Sequence, residues 1–406
     1  MELEKRTRTS DILSIYIPSF FIFLGMSIIS PILPLYAESF NVSFTLVSLA
    51  ISIYAFGRFI VDLPVGFVAD RFGRRPLMII GTALITVTAF LNATTSSFTE
   101  FLVYRLIQGA GSSMWMTSRT TLLADMLKPE ERGRVMSYFQ SFMLIGAAAG
   151  PTIGGIVASV WDIRAPFYFY ALTGLISLVL TFIWIKEPKR TLVENGEGAH
   201  FSPQVLKRML LNRSFSMACL ATFTSFFLMT GIRGTMIPLY ANNILGLNEV
   251  EIGTVISYAT LMNLILTIPI GYGIDYFGRK PIIVLSLSIT AVASSLFPSA
   301  VNYLTISLSA LLLGIGTSGA QQAPLAMATD ASIHEPHGLS MGLYRFFGDI
   351  GFTMGPLILG FIADGYGLQM PFYFMAALIA VNAALFFTLA RETYSARMSK
   401  AEKIRN

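Results

Sequence analysis

The chain has 406 residues, of which 54% are hydrophobic and only 13% charged, with a mean hydropathy of +0.65. A soluble domain carries about 25% charged residues, and the net charge of +5 is small for this length. The blocks Ile12–Tyr36 and Leu77–Thr99 hold no charge at all, so soluble enzymes, nucleic-acid readers and secreted scaffolds are excluded and a polytopic membrane protein is expected.

A helix needs roughly 20 mainly apolar residues to cross a bilayer. Blocks of that kind predict twelve spans, at 12–36, 46–69, 77–95, 99–125, 134–159, 166–186, 214–241, 249–274, 281–300, 303–330, 338–363 and 371–390. The N-terminus, Met1–Asp11, lacks the small-residue cleavage site of a signal peptide, so the first span is expected to be retained. The second span carries Arg58 and Asp62 and leads into Pro64-x-Gly66-x-x-x-Asp70-x-x-Gly73-Arg74-Arg75-Pro76. The fourth holds Arg105-x-x-Gln108-Gly109-x-Gly111, then Arg119 and, at its end, Asp125. The fifth reads Gly146-x-x-x-Gly150-Pro151-x-x-Gly154-Gly155. Residues 187–213 form a linker, whose part Val205–Leu211 reads equally well as a short helix on the membrane surface or as solvated chain. Arg233 falls in the seventh span, and Arg345 and Asp349 in the eleventh.

Basic residues collect on the cytoplasmic side of membrane proteins. With the N-terminus inside, Arg164 is the only lysine or arginine expected in an outer loop, so both termini are expected in the cytoplasm. The single cysteine, Cys219, permits no internal disulfide, and His200, His334 and His337 read as solvated loop residues rather than as metal ligands. No metal and no cofactor is expected.

The chain also repeats itself. Pro269-x-Gly271-x-x-x-Asp275-x-x-Gly278-Arg279-Lys280-Pro281 copies the loop after the second span at an offset of 205. The same offset relates Asp125 to Asp330 and Gly150-Pro151 to Gly355-Pro356, while Pro34-Leu-Tyr-Ala returns at 204. Six spans per repeat give both copies the same orientation, the parallel arrangement found in one class of transporters. The expected fold is therefore all-α, with twelve transmembrane helices in two parallel-repeat six-helix bundles, 1–186 and 214–406, joined by the linker 187–213.

The loop motif resembles the signature between the second and third helices of the major facilitator superfamily. Arg105-x-x-Gln108-Gly109-x-Gly111 is similar to that family's motif in the fourth helix. The fifth-helix glycines resemble the motif of its drug/proton antiporters. The resemblance covers essentially the whole chain. It implies a conformational latch built from Gly66, Asp70, Gly73 and Arg74 with Asp125, repeated as Asp275, Gly278 and Arg279 with Asp330. Asp70 would face the N-terminus of the eleventh helix. The resemblance further implies an antiporter motif of Gly146, Gly150, Pro151, Gly154 and Gly155 packed between the halves, and a role for Arg105 in proton coupling or substrate binding.

Seven charges lie inside spans: Arg58, Asp62, Arg105, Arg119, Arg233, Arg345 and Asp349. Each costs roughly 2.5–3.5 kcal/mol at a helix centre, so all are functional candidates, with Arg105, Arg119, Arg233, Asp62 and Asp349 placed at a coupling site or substrate cavity. Arg105 and Arg119 are expected to face the same cavity. Arg58 and Asp62 are four apart on one helix, as are Arg345 and Asp349, so each pair shares a face. With the second and eleventh helices side by side, as the resemblance implies, matching depths suggest an interdomain gate of Asp62 with Arg345 and Arg58 with Asp349. Pairing within each helix fits the same spacing.

These readings lead to a monomeric secondary transporter of the cell membrane, not an enzyme, that handles a small-molecule substrate and protons within the lipid bilayer and touches no nucleic acid. The expected activity is proton-coupled export of lipophilic or amphiphilic compounds by alternating access. A lipid or glycolipid flippase is the alternative on the same scaffold, and a non-transporting membrane sensor the alternative of another class.

Overall fold

The computed structural model describes residues 2–126, 129–185, 203–332 and 337–393, with the side chains of most of them. The described residues are helical, without strands. In chain order the helices are α1 (Glu2–Ile29), α2 (Leu33–Glu38), α3 (Phe44–Phe72), α4 (Arg74–Thr94), α5 (Phe98–Met126), α6 (Pro129–Val160), α7 (Ala165–Trp184), α8 (Pro203–Leu211), α9 (Arg213–Leu228), α10 (Ile237–Asn243), α11 (Glu249–Phe277), α12 (Arg279–Leu296), α13 (Tyr303–Ala331), α14 (His337–Tyr366) and α15 (Met370–Leu389). Residues Met229–Met236, between α9 and α10, form a π-helix. Ten described spans are long and apolar enough to cross a membrane. α5 is equally long but carries Arg105 and Arg119, and the described apolar part of α1 is Leu13–Ile29. Together these make the twelve spans of an all-α membrane protein, six in each repeat.

Packing divides the chain into two compact units: Met1–Thr191 with Ile237–Ser257, and Leu192–Met236 with Tyr258–Asn406. This grouping differs from the repeat, because α10 and the first turns of α11 pack with the first six spans. Asn243 Nδ2 donates to Glu38 at 3.0 and 3.1 Å, and Thr152 Oγ1 to Ser257 Oγ at 2.8 Å. The segment Val205–Leu211 is helical, as the larger part of α8.

In the first unit α5 packs against α3 and α4, and α1 against α6 and α7. Close approach is bought with glycine: a Cβ at Gly109 would run into the Tyr54 carbonyl oxygen, and one at Gly57 into that of Leu106. In the second unit α13 packs on α12 and α9, and α14 on α9. Asn263 Oδ1 there accepts from Thr317 Oγ1 at 3.0 Å and Ser318 Oγ at 2.9 Å. The repeat is visible in the backbone. Gly73 joins α3 to α4 at φ +96°, and Gly278 joins α11 to α12 at the same φ, a conformation that side-chain-bearing residues rarely adopt.

Gly109→Val is expected to force α3 and α5 apart. Overpacking of this kind costs about 1–3 kcal/mol, which should read as a drop of several degrees in the unfolding midpoint of detergent-purified protein; an unchanged midpoint would contradict the close crossing.

Candidate functional site

The charges of the first unit sit on α3 and α5. Arg105 is 4% exposed. Its Nε donates to the Ala50 carbonyl at 3.2 Å, its Nη1 to Gln108 Oε1 at 2.6 Å, and its guanidinium lies 4.5 Å from the Tyr54 ring centre. The glycine crossing at Gly109 brings α3 near enough for these contacts. Among the described residues the cation is thus held by neutral groups only.

Arg119 is also 4% exposed, but its surroundings are apolar. The ring centres of Phe139, Trp115 and Phe23 lie 4.6, 4.7 and 5.5 Å from its guanidinium carbon. Nη2 reaches Thr120 Oγ1 at 3.3 Å, while among the described residues Nε and Nη1 have no hydrogen-bond partner. Unmet buried donors cost on the order of 1–3 kcal/mol, and more on a charged group. Arg105 turns to α3, whereas Arg119 turns to α1 and α6. Fourteen residues are roughly 21 Å along a helix, enough for a different neighbour to stand beside α5.

Asp62 is half-buried and accepts a short hydrogen bond from the hydroxyl of Ser113 on α5. Arg58 Nη2 lies 3.7 Å from Met116 Sδ. Sequence reasoning missed Ser113, although a signal was present. Ser112-Ser113 recurs as Thr317-Ser318 at the repeat offset, and in the second unit both of those hydroxyls donate to Asn263.

In the second unit Arg233 is half-buried within the π-helix and donates to the Thr260 hydroxyl. On α14 Arg345 is exposed and Asp349 half-buried. The π-helix itself was not anticipated. Pro238 has no N–H for the Gly234 carbonyl one turn earlier, so the α-helical ladder cannot run through. Thr235 Oγ1 instead donates to the Thr230 carbonyl at 2.8 Å.

Of the two loop motifs, the second is described in full. Arg279 Nε lies 2.9 Å from Asp330 Oδ2 and Nη1 3.3 Å from Asp275 Oδ1. Glu392, beyond α15, accepts from the backbone N–H groups of Arg279 and Lys280 at 3.1 and 2.9 Å. A carboxylate there meets the partial positive charge of the α12 N-terminus. Glu392 gave no local signal, since its partners lie more than a hundred residues away. In the first motif Arg74 is half-buried at the start of α4. Gly66, Asp70 and Asp125 lie outside the residues whose side chains are described.

The fifth-helix motif has two faces. A Cβ at Gly150 or Gly154 would collide with Ser27 or Ile28 of α1, and one at Gly146 would lie 3.2 Å from the Phe20 ring. This stripe therefore packs on the first span, not between the repeats as expected, because a four-residue spacing keeps it on the side where α1 lies. Gly155 is turned about 100° from Gly154, and a Cβ there would strike the Glu249 carbonyl of α11. The Pro151 carbonyl closes on Gly253 in the same way.

Among the described residues no group of three His, Cys, Asp or Glu could hold a metal ion. The family model of the Major Facilitator Superfamily matches residues 15–272 and 220–405. An MFS-type transporter of Methanocaldococcus jannaschii is 25% identical over 371 residues, 90% of this chain and 94% of that protein. The quinolone resistance protein NorA of Staphylococcus aureus strain COL is 26% identical over 367 residues, 89% and 92% of the two chains. Among solved structures, a D-xylose–proton symporter superposes with a TM-score of 0.75 at 16% identity, covering 95% and 98% of the two chains. The nucleoside transporter NupG, as a D323A mutant, gives 0.77 at 14% identity, covering 94% and 100%.

Asp330→Asn removes the nearer carboxylate from Arg279, whose side chain is 10% exposed. A cost of about 1–3 kcal/mol is expected, seen as a lower unfolding midpoint. A midpoint equal to wild type would mean that Asp275 suffices.

Proposed function

Because the chain belongs to the Major Facilitator Superfamily, and so is a multi-span membrane transporter of small molecules rather than an enzyme, we propose that it exports lipophilic or amphiphilic compounds in exchange for protons. The observation that carries this reading is the likeness to a quinolone resistance protein along 89% of the chain. The glycine stripe on α6 supports it, as does Asp62, a carboxylate inside a span that Ser113 holds in place. Transport proceeds by alternating access, with the Arg279–Asp330 cluster and its counterpart around Arg74 acting as latches of the cytoplasmic loops. The termini lie in the cytoplasm, and the protein works as a monomer in the cell membrane. The gate of Asp62 with Arg345 and Arg58 with Asp349 belongs to this proposal and rests on helix register alone.

Purified protein in liposomes under an imposed pH gradient is the direct test, with a fluorescent amphiphile as cargo. Accumulation should collapse on adding a protonophore, and transport indifferent to the gradient would refute coupling. Arg105→Ala should fold yet lose gradient-driven transport by about tenfold or more, the size of one lost charge-assisted interaction. For the gate, Asp62→Arg and Arg345→Asp should each abolish transport and the double swap restore it; a swap that stays inactive would remove the pair from the mechanism.

A further inference from the structure

Arg119 is buried in the first unit with donors on Nε and Nη1 that nothing meets among the described residues. The rings of Trp115, Phe139 and Phe23 serve the cation through their π-faces, but they offer no acceptor in the plane of the guanidinium. The remaining partner is the neutral Thr120 hydroxyl at 3.3 Å, a long contact for a charged donor. A position that served only packing would need no charge: the matching residue of the second repeat is Pro324, and α13 runs through it as a helix.

We propose that Arg119 is the subsite for an organic anion, binding the carboxylate or sulfonate at the polar end of an amphiphilic substrate whose apolar body lies along the surrounding rings. This rests on the transport reading above and adds the sign of the substrate's charge. An oxyanion supplies the in-plane acceptors that the guanidinium lacks. The apolar rings keep water from screening the attraction and exclude small hydrophilic anions, which gain nothing from them. Phe23 and Thr120 are half-buried, whereas Trp115 and Phe139 are buried, so approach is from the side of α1 and Thr120.

The molecule carries its own reporter. The three tryptophans are Trp115, Trp161 and Trp184, and the last two are exposed. Trp161→Phe with Trp184→Phe leaves Trp115, beside the cation, as the sole emitter. In lipid nanodiscs without a gradient, its fluorescence is titrated with 4-pentylbenzoate, 4-pentylbenzamide and 4-pentylbenzylamine, which share a body and differ in charge. The benzoate is expected to bind about tenfold tighter than the amide, the size of one charged hydrogen bond, and the amine more weakly than either. Arg119→Gln should bring the benzoate to the level of the amide and leave the amide unchanged, while Arg119→Lys keeps part of the preference. Equal binding of benzoate and amide, silence of Trp115 towards the benzoate, or a preference that survives Arg119→Gln would each overturn the proposal. Should Arg119→Gln not fold, the charge series on the otherwise native protein decides alone. Because no gradient is applied, a failure of proton-driven export leaves this result standing, and a failure here leaves export untouched.

Discussion

Where no water reaches, every N–H, carbonyl and hydroxyl must find its partner inside the protein, and the rest of this structure follows from that requirement. Backbone groups are met within the helices, so the side chains decide which helices lie together. Many hydroxyls turn back on their own helix: Thr82, Thr290 and Ser294 donate to the carbonyl four residues earlier at 2.7, 2.7 and 2.9 Å. Other polar side chains join helices, as the Asn382 amide Nδ2 does in reaching Thr224 Oγ1 at 2.7 Å. Glycine lets two backbones meet closely enough for a carbonyl to serve a neighbour, and Arg105 is held from α3 in this way. Arg119 is one of several described side chains that depart from that requirement, a cation given rings where it needs oxygen.

The duplication shows what each repeat keeps and what it changes. Ser113 and Ser318 occupy matching places and both donate across to the neighbouring helix. In the first unit the acceptor is the ionisable Asp62; in the second it is the neutral Asn263, which matches Arg58 by offset. One scaffold thus supports two polar clusters, and only the first of these acceptors can change its charge. The loop turns are the conserved part, with Gly73 and Gly278 at the same backbone angle.

The spans and the internal repeat could be read from the residues, because each rests on length, composition or a motif with its own spacing, and the meeting of Arg279 with Asp330 was implied by the family resemblance of that motif. What escaped was the choice of neighbour. Helical periodicity says which residues share a face but not which helix that face meets. Arg105 and Arg119 share α5 but address different helices, and of the α6 glycines expected between the repeats Gly146, Gly150 and Gly154 meet α1 while Gly155 meets α11. Contacts between distant residues, such as Glu392 with the start of α12, leave no local pattern at all. The grouping of α10 with the first unit is of the same kind, since it depends on packing and not on descent by duplication.

The π-helix has a mechanical meaning. One boundary between the two packing units falls between Met236 and Ile237, where the π-helix ends and α10 begins. At the matching place of the first repeat, α1 stops at Ile29 and α2 resumes at Leu33, with Pro31 in the interval and Pro34 in the first turn of α2. The first span of each repeat is therefore a jointed rod rather than a stiff one. Bending a continuous α-helix means breaking well-formed hydrogen bonds, but here the ladder is already interrupted, so the compliance of the span is concentrated in a few residues. Arg233 rides on the joint itself, so any flexing of the span moves its charge.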